Sequence, residues 1–267
     1  MPRYFLEVSY KGTVYSGFQA QKNANTIQAE VEKVIDILLP PDITINSKNL
    51  GVKLTGSSRT DAGVHALQNY FHFDTDLPVQ QWKGIGDEAT FIYKMNAILP
   101  GDIVAKKLLI VSPNAHCRFD ALSREYNYYI YNQKNPFLSE QAFFYPYKLD
   151  IEKLQLAAAM IIEYQDFTSF SKRNTQAKTF ICNIQESSWS IEKHKLVYHV
   201  KANRFLRGMV RALTATMLKV GRNTISIQDF KNIIEVKDCS KASFAVPPHG
   251  LFLLSVQYPK ACFDSTT

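Results

Sequence analysis

Residues 52–73 read VKLTGSSRTDAGVHALQNYFHF. The stretch around Val52–Leu54 and the aromatic run 66–73 are both β-prone. Between them, Gly56 to Ala66 is a loop of mostly small residues, which lets the backbone turn tightly and a ligand approach closely. Arg59 and Asp61 lie two apart in that loop. A loop fixed by flanking strands is a common place for catalytic groups. An Asx-type aspartate in an ordinary hairpin turn fits the same composition.

Working outward, Tyr4, Leu6, Val8 and Tyr10 alternate with other positions, so residues 3–10 read as a strand. Gly12 and Gly17 punctuate a loop. A helix starts near Asn25 or Thr26, carries Ile27, Val31, Val34, Ile35 and Leu38 as its apolar stripe, and ends at Pro40-Pro41. A second helix over 90–99 stops at Pro100-Gly101, and Ile103 to Val111 returns to strand. In the second half, Ser123 to Asn132 is a tyrosine-rich strand. Asp150 caps a helix with Leu154, Ala157, Ala158, Ile161 and Ile162. Residues 180–190 and 195–201 form a hairpin turning near Glu192-Lys193. A long helix spans about Asn203 to Val220, with Gly221 as its C-cap. Ser226 and Asp229 form a capping box for a further helix, and Leu251 to Tyr258 is a closing strand.

This order is α+β rather than strict βαβ alternation. It implies two α+β halves, ferredoxin-like or RRM-like, over residues 1–108 and 109–267. They are expected to share a largely antiparallel central sheet with a basic active-site cleft.

Composition narrows the function classes. Apolar residues make up 46% and charged residues 21% of 267, the balance of an ordinary globular protein. No run approaches the ~18 apolar residues that span a bilayer. Glu7 stands where a signal peptide needs apolar residues, so a cytoplasmic protein with no membrane partner is expected. The four cysteines form no CxxC pair and the six histidines no HExxH motif, so neither disulfides nor a metal site is expected. There is no Walker A and no GxGxxG, so no nucleotide or dinucleotide cofactor is implied. The net charge of +7 is compatible with a nucleic-acid partner, and the placement of the charges decides.

Two further patterns bear on chemistry. On the expected long helix, Arg204, Arg207 and Arg211 are spaced i, i+3, i+7 and would share one face. Such a row is either a solvated basic face or a grip on phosphates or a carboxylate. In the tyrosine-rich strand, Tyr126, Tyr128 and Ile130 share one face, and Tyr129 and Tyr131 the other. Most of these read as sheet core, as do Leu251 and Leu253.

The segment Arg59-Thr60-Asp61-Ala62-Gly63-Val64-His65 resembles the signature of the TruA family of pseudouridine synthases. Similar blocks follow along nearly the whole chain: Tyr10, Gly12, Tyr15, Gly17, Phe18 and Gln19 near the start, then Met95 to Pro100. Arg118-Phe119-Asp120-Ala121, Arg124 to Tyr128, Asp166 to Phe170, Ala202-Asn203 with Phe205, Met209-Val210-Arg211 and Pro247 to Leu253 come next in order. The chain departs from the family pattern at Lys11, Phe18, Ala20, Ser58 and Gln165.

The resemblance implies an isomerase that needs no cofactor and converts uridine to pseudouridine at positions 38, 39 and 40 of the tRNA anticodon stem-loop, as a homodimer. It implies Asp61 as catalytic nucleophile, Tyr126 as the active-site aromatic and Arg211 as partner of Asp61. Arg59 would fill the space left by the flipped base. Leu251 or Leu253 would pack on that base, with Arg204 and Arg207 on phosphates. Two alternatives stay open: a synthase for a different RNA uridine, and a non-catalytic RNA-binding protein of the same fold.

Overall fold

The computed structural model describes residues 1–41, 43, 45, 52–173 and 177–263. Its elements are those of an α+β fold, and the chain divides into two compact units. The first comprises Met1–Leu122 and Ser255–Thr267, the second Ser123–Leu254. The boundary expected near residue 108 falls inside a strand, Ile103–Val111, that pairs along its length with Arg3–Tyr10.

In the first unit, β1 (Arg3–Tyr10) is followed by α1 (Ile27–Leu38), β2 (Thr55–Gly56), β3 (His65–Asp74), α2 (Glu88–Ile98) and β4 (Ile103–Val111). β1 lies between β3 and β4, antiparallel to both, and β2 pairs with β3. The strand expected at 52–54 is therefore displaced to Thr55–Gly56. Thr26 caps α1 by accepting the Ala29 N–H, and the stripe Ile27, Val31, Val34 and Ile35 is buried. Asp87 caps α2. Asn96 of that helix holds the Ala105 N–H and C=O of β4, both at 2.8 Å.

Simple alternation in β1 would leave one face exposed. Instead Phe5 is fully buried, because Tyr258 (ring centroids 5.2 Å apart) and Phe263 (6.3 Å) cover it from the end of the chain. Glu7 on the same face is buried too and accepts the Tyr70 hydroxyl at 3.0 Å.

The second unit contains β5 (Ser123–Tyr131), β6 (Phe143–Phe144), α3 (Ile151–Met160), β7 (Ile184–Glu192), β8 (Lys195–Ala202), α4 (Met209–Gly221), α5 (Ile227–Glu235) and the start of β9 (Leu251–Gln257), which crosses the division between units. β8 lies antiparallel between β5 and β7, and the short β6 runs parallel to β5. The β7–β8 turn falls on Lys193 and His194, both left-handed (φ 44° and 68°), as the tight hairpin requires. Asp150 caps α3, and Ser226 and Asp229 form the expected capping box of α5.

α4 corrects the sequence reading at both ends. It begins at Met209, not Asn203, because Gly208 has a left-handed backbone (φ 74°) that interrupts any helix running into it. Gly221 is helical, and the left-handed residue beyond the helix is Asn223. Gly221 is required for a different reason: a Cβ there would sit 2.8 Å from the Leu154 side chain. None of the four cysteines is in a disulfide.

Candidate active site

The loop between β2 and β3 is tied down at several points. Asn69, fully buried on β3, accepts the Ser58 N–H through Oδ1 (3.2 Å) and donates through Nδ2 to the Ser58 carbonyl (2.8 Å) and the Tyr10 hydroxyl (3.2 Å). That hydroxyl lies 2.8 Å from Thr60 Oγ1. The Phe18 N–H donates to the Thr60 carbonyl (3.1 Å), and the Val64 N–H closes a turn onto the Asp61 carbonyl (3.2 Å). The opening loop braces the same structure: the Gly12 N–H donates to His65 Nδ1 at 3.0 Å.

Two glycines permit this approach. A Cβ at Gly12 would fall 2.0 Å from the Val64 carbonyl oxygen, and Gly17 has φ 109° with the Thr60 oxygen 3.2 Å from a Cβ position. Asp61 thus sits half-buried on a backbone whose position is set from both sides, and Arg59 is largely, though not wholly, exposed. Burial, with the neighbouring Arg118 guanidinium second, holds the Arg59 pKa below its ordinary value. Ser58, where the family pattern has glycine, buries a hydroxyl with no hydrogen-bond partner.

In the second unit, Tyr126 on β5 is buried edge-to-face against Phe205 (5.2 Å, 88°). Arg211 lies in the first turn of α4 and donates through Nε and Nη2 to the Val246 carbonyl at 3.0 and 2.7 Å. The following residue of that segment, Pro247, accepts the Tyr128 hydroxyl at 2.7 Å. Leu251 and Leu253, at the start of β9, are buried. One segment, residues 246–253, therefore anchors Arg211 and Tyr128 and then enters the core.

The arginine row does not exist as a helical face. Arg204 and Arg207 precede Gly208 in non-helical backbone, and only Arg211 is on α4. Arg207 is exposed, with its carbonyl accepting the Lys172 N–H at 3.1 Å; Arg204 is half-buried. The expected spacing argument for these two residues falls with the helix.

One cluster was invisible to motif searches. Among the described residues, His72, His116 and Cys117 bring a ligand atom each within 4.8 Å of one another, and these donor types can hold a metal ion. His72 Nδ1 already accepts the Cys117 N–H (3.3 Å) and lies 3.1 Å from Cys117 Sγ. Burial, then His116 and Arg3, lower the His72 pKa to about 4. Asn69 was also missed, although a polar residue among the apolar positions of β3 is the kind of signal that marks it. The sequence separation of 72 from 116 and 117 gave no such signal.

Comparison with known proteins places these features in context. A family model described as tRNA pseudouridine synthase matches residues 157–259. The chain is similar to tRNA pseudouridine synthase A of Parabacteroides distasonis, 42% identical over 263 residues, covering 98% of each chain. It is likewise 42% identical over 265 residues to that of Porphyromonas gingivalis, covering 98% of this chain and all of that one. The Bacillus subtilis protein of the same name is 33% identical over 255 residues, 94% of this chain and 97% of its own.

Proposed function

Because the chain belongs to the tRNA pseudouridine synthase A family, and is thereby an isomerase converting uridine to pseudouridine in tRNA, we propose that its targets are uridines 38, 39 and 40 of the anticodon stem-loop, with Asp61 as the nucleophile. The observation that carries the residue assignment is the tethered loop: a carboxylate two residues from an exposed arginine, on backbone fixed by Asn69, Tyr10 and Phe18.

The reaction breaks the N1–C1′ bond, turns the uracil and joins C5 to C1′; C5 then loses its proton and N1 takes one up, so there is no net oxidation or hydrolysis. Asp61 acts on the ribose or the base while the uracil is detached. Arg211, oriented by its fork on the Val246 carbonyl, is the guanidinium that the family resemblance assigns to the catalytic carboxylate. Tyr126 stacks on the uracil, and Leu251 or Leu253 supports its other side. The target base leaves its stack at a cost of a few kcal/mol, least in a loop. Arg59 fills the gap it leaves. Arg204 and Arg207 contact phosphates. The enzyme works in the cytoplasm as a homodimer, one subunit gripping the tRNA body while the other modifies it.

The purified chain is incubated with unmodified tRNA, and each uridine is read with a pseudouridine-specific chemical probe. Signal confined to positions 38–40 supports the target assignment; signal at another position overturns it. Sedimentation at working concentrations tests the dimer.

A further inference from the structure

A pocket of about 180 Å³ opens beside the Asp61 loop within the first unit. Leu54, Thr55, Gly56 and Phe18 line it. Phe18 is fixed by stacking on Phe71 (4.7 Å, 13°) and by the absence of a side chain at Gly56, where a Cβ would lie 2.2 Å from the ring. The rim holds Arg59, His116, Arg118 and Phe119. Nothing in the loop tethering described above needs this pocket.

The rim has an unusual makeup. Phe119 is 73% exposed yet held in place: its ring lies 4.3 Å from the His116 ring, and His116 Nδ1 accepts both the Arg118 and the Phe119 N–H (3.1 and 3.3 Å). The Arg118 guanidinium lies over the same ring, 5.7 Å from its centroid, so the exposed aromatic is already paired with a cation as a stacking platform for RNA is. Beside it stand two guanidiniums whose like charges act on each other, and the natural complement of such a pair is a phosphate, which each can grip with two N–H groups. An aromatic platform flanked by arginines is the chemistry that receives an unstacked base and its backbone phosphate.

We propose that this pocket is a second nucleotide subsite, which takes a base of the substrate RNA other than the isomerised uridine onto Phe119, with the adjoining phosphate on Arg118. The inference rests on the reading of the chain as a tRNA-modifying enzyme and adds to it a means of selecting the strand around the target. The ligand is a single-stranded nucleotide flanking the site of reaction, so the subsite contributes to affinity and register and takes no part in the chemistry at the reacting uridine.

The test uses the full chain and unmodified tRNA. Equilibrium binding is measured for wild type, Phe119→Ala, Phe119→Trp and Arg118→Gln, each first checked for an unchanged melting temperature. Phe119→Ala is expected to weaken binding by about 10-fold or more, with Phe119→Trp retaining it, because stacking is supplied by any flat ring. Arg118→Gln is expected to lower the slope of log affinity against log salt by about one, the mark of a lost phosphate contact. Stem-loops carrying 2-aminopurine at single positions should show one position away from the modified uridine whose fluorescence responds to wild type and not to Phe119→Ala. Wild-type affinity and salt slope in both Phe119→Ala and Arg118→Gln would overturn the subsite. A 2-aminopurine response located only at the modified uridine would do the same. Because these readouts are of binding, they stand apart from turnover: loss of binding in the variants beside a wild-type chain that makes no pseudouridine would keep the subsite and discard the enzymatic reading.

Discussion

Asp61 and Arg211 are held by opposite strategies. Asp61 sits in a loop with no regular structure, and its position is written by side chains and carbonyls that reach it from β1, β3 and the opening loop. Arg211 sits in the first turn of a regular helix, and what places it is where that helix starts and the Val246 carbonyl that takes its fork. In both cases a glycine decides the outcome, but for different reasons. Gly12 leaves room for the Val64 carbonyl, a demand of space. Gly208 supplies a left-handed backbone, a demand of conformation, and the atoms nearest to a Cβ there belong to the flexible Lys172 side chain, at 3.1 Å.

The strongest test of this contrast is Asp61→Asn. Turnover of tRNA should fall by at least about 1,000-fold, since a lost covalent catalyst is not replaced. The melting temperature should stay near that of wild type, because the loop is tethered at Ser58, Thr60 and Val64 by contacts that the substitution leaves in place. Turnover within tenfold of wild type would remove Asp61 from the chemistry.

Arg211→Lys comes next. Lysine keeps the charge and loses the planar fork, so single-turnover rates at saturating enzyme should drop about 100-fold while tRNA affinity holds within a few-fold. Arg207→Lys, on the exposed approach to the helix, should spare the chemical step and weaken binding modestly. Equal losses in the chemical step would dissolve the distinction between the two arginines.

The glycines separate the two regions directly. Gly12→Ala forces backbone against backbone, so the Asp61 loop must shift; turnover should fall about 10- to 100-fold, in line with the sensitivity of reaction to misplacement of order 1 Å. Gly208→Ala meets side chains rather than backbone, the Lys172 chain at 3.1 Å and the Phe244 ring at 3.3 Å, and bears the left-handed penalty, about 1–2 kcal/mol of stability, with turnover nearly intact. Urea unfolding beside turnover assays resolves the pair, and reversed outcomes would mean that the loop is softer than its tethers suggest.

A further effect, on stability alone, concerns acid. His72 stays neutral in the fold down to about pH 4, while in the unfolded chain it takes a proton near pH 6.5. Between those values the unfolded state binds more protons, so stability falls as pH drops from about 6.5 to about 4, by on the order of 1–3 kcal/mol. His72→Gln should flatten that part of the stability-against-pH curve; an unchanged slope would assign the acid sensitivity to other groups.

Much of this architecture was legible in the chain. Periodicity and caps located β1, α1, β3, α3 and α5 because one apolar face and one capping side chain suffice to define such elements. The Asp61 loop stood out because small residues cluster there. The failures share a cause. The run Asn203 to Gly208 carries apolar and charged residues at helical spacing, and a glycine inside such a run reads as tolerated, since nothing local reports the sign of its φ. Gly221 reads as a cap for the same reason, although the contact that requires it comes from Leu154 on another helix. Burial of Phe5 depends on Tyr258 and Phe263, far along the chain, and no window of sequence around β1 contains that information.

That last dependence has a consequence for biosynthesis. The first unit takes its final residues from Ser255 onward, after the whole of the second unit has been made. At about 5–20 residues per second on the ribosome, β1 and β3 wait several seconds or longer with the Phe5 and Tyr70 face uncovered. The unit that is synthesised first is finished last. A nascent chain in that interval offers an aromatic patch to chaperones, and residues 255–263 act as the seal that withdraws it.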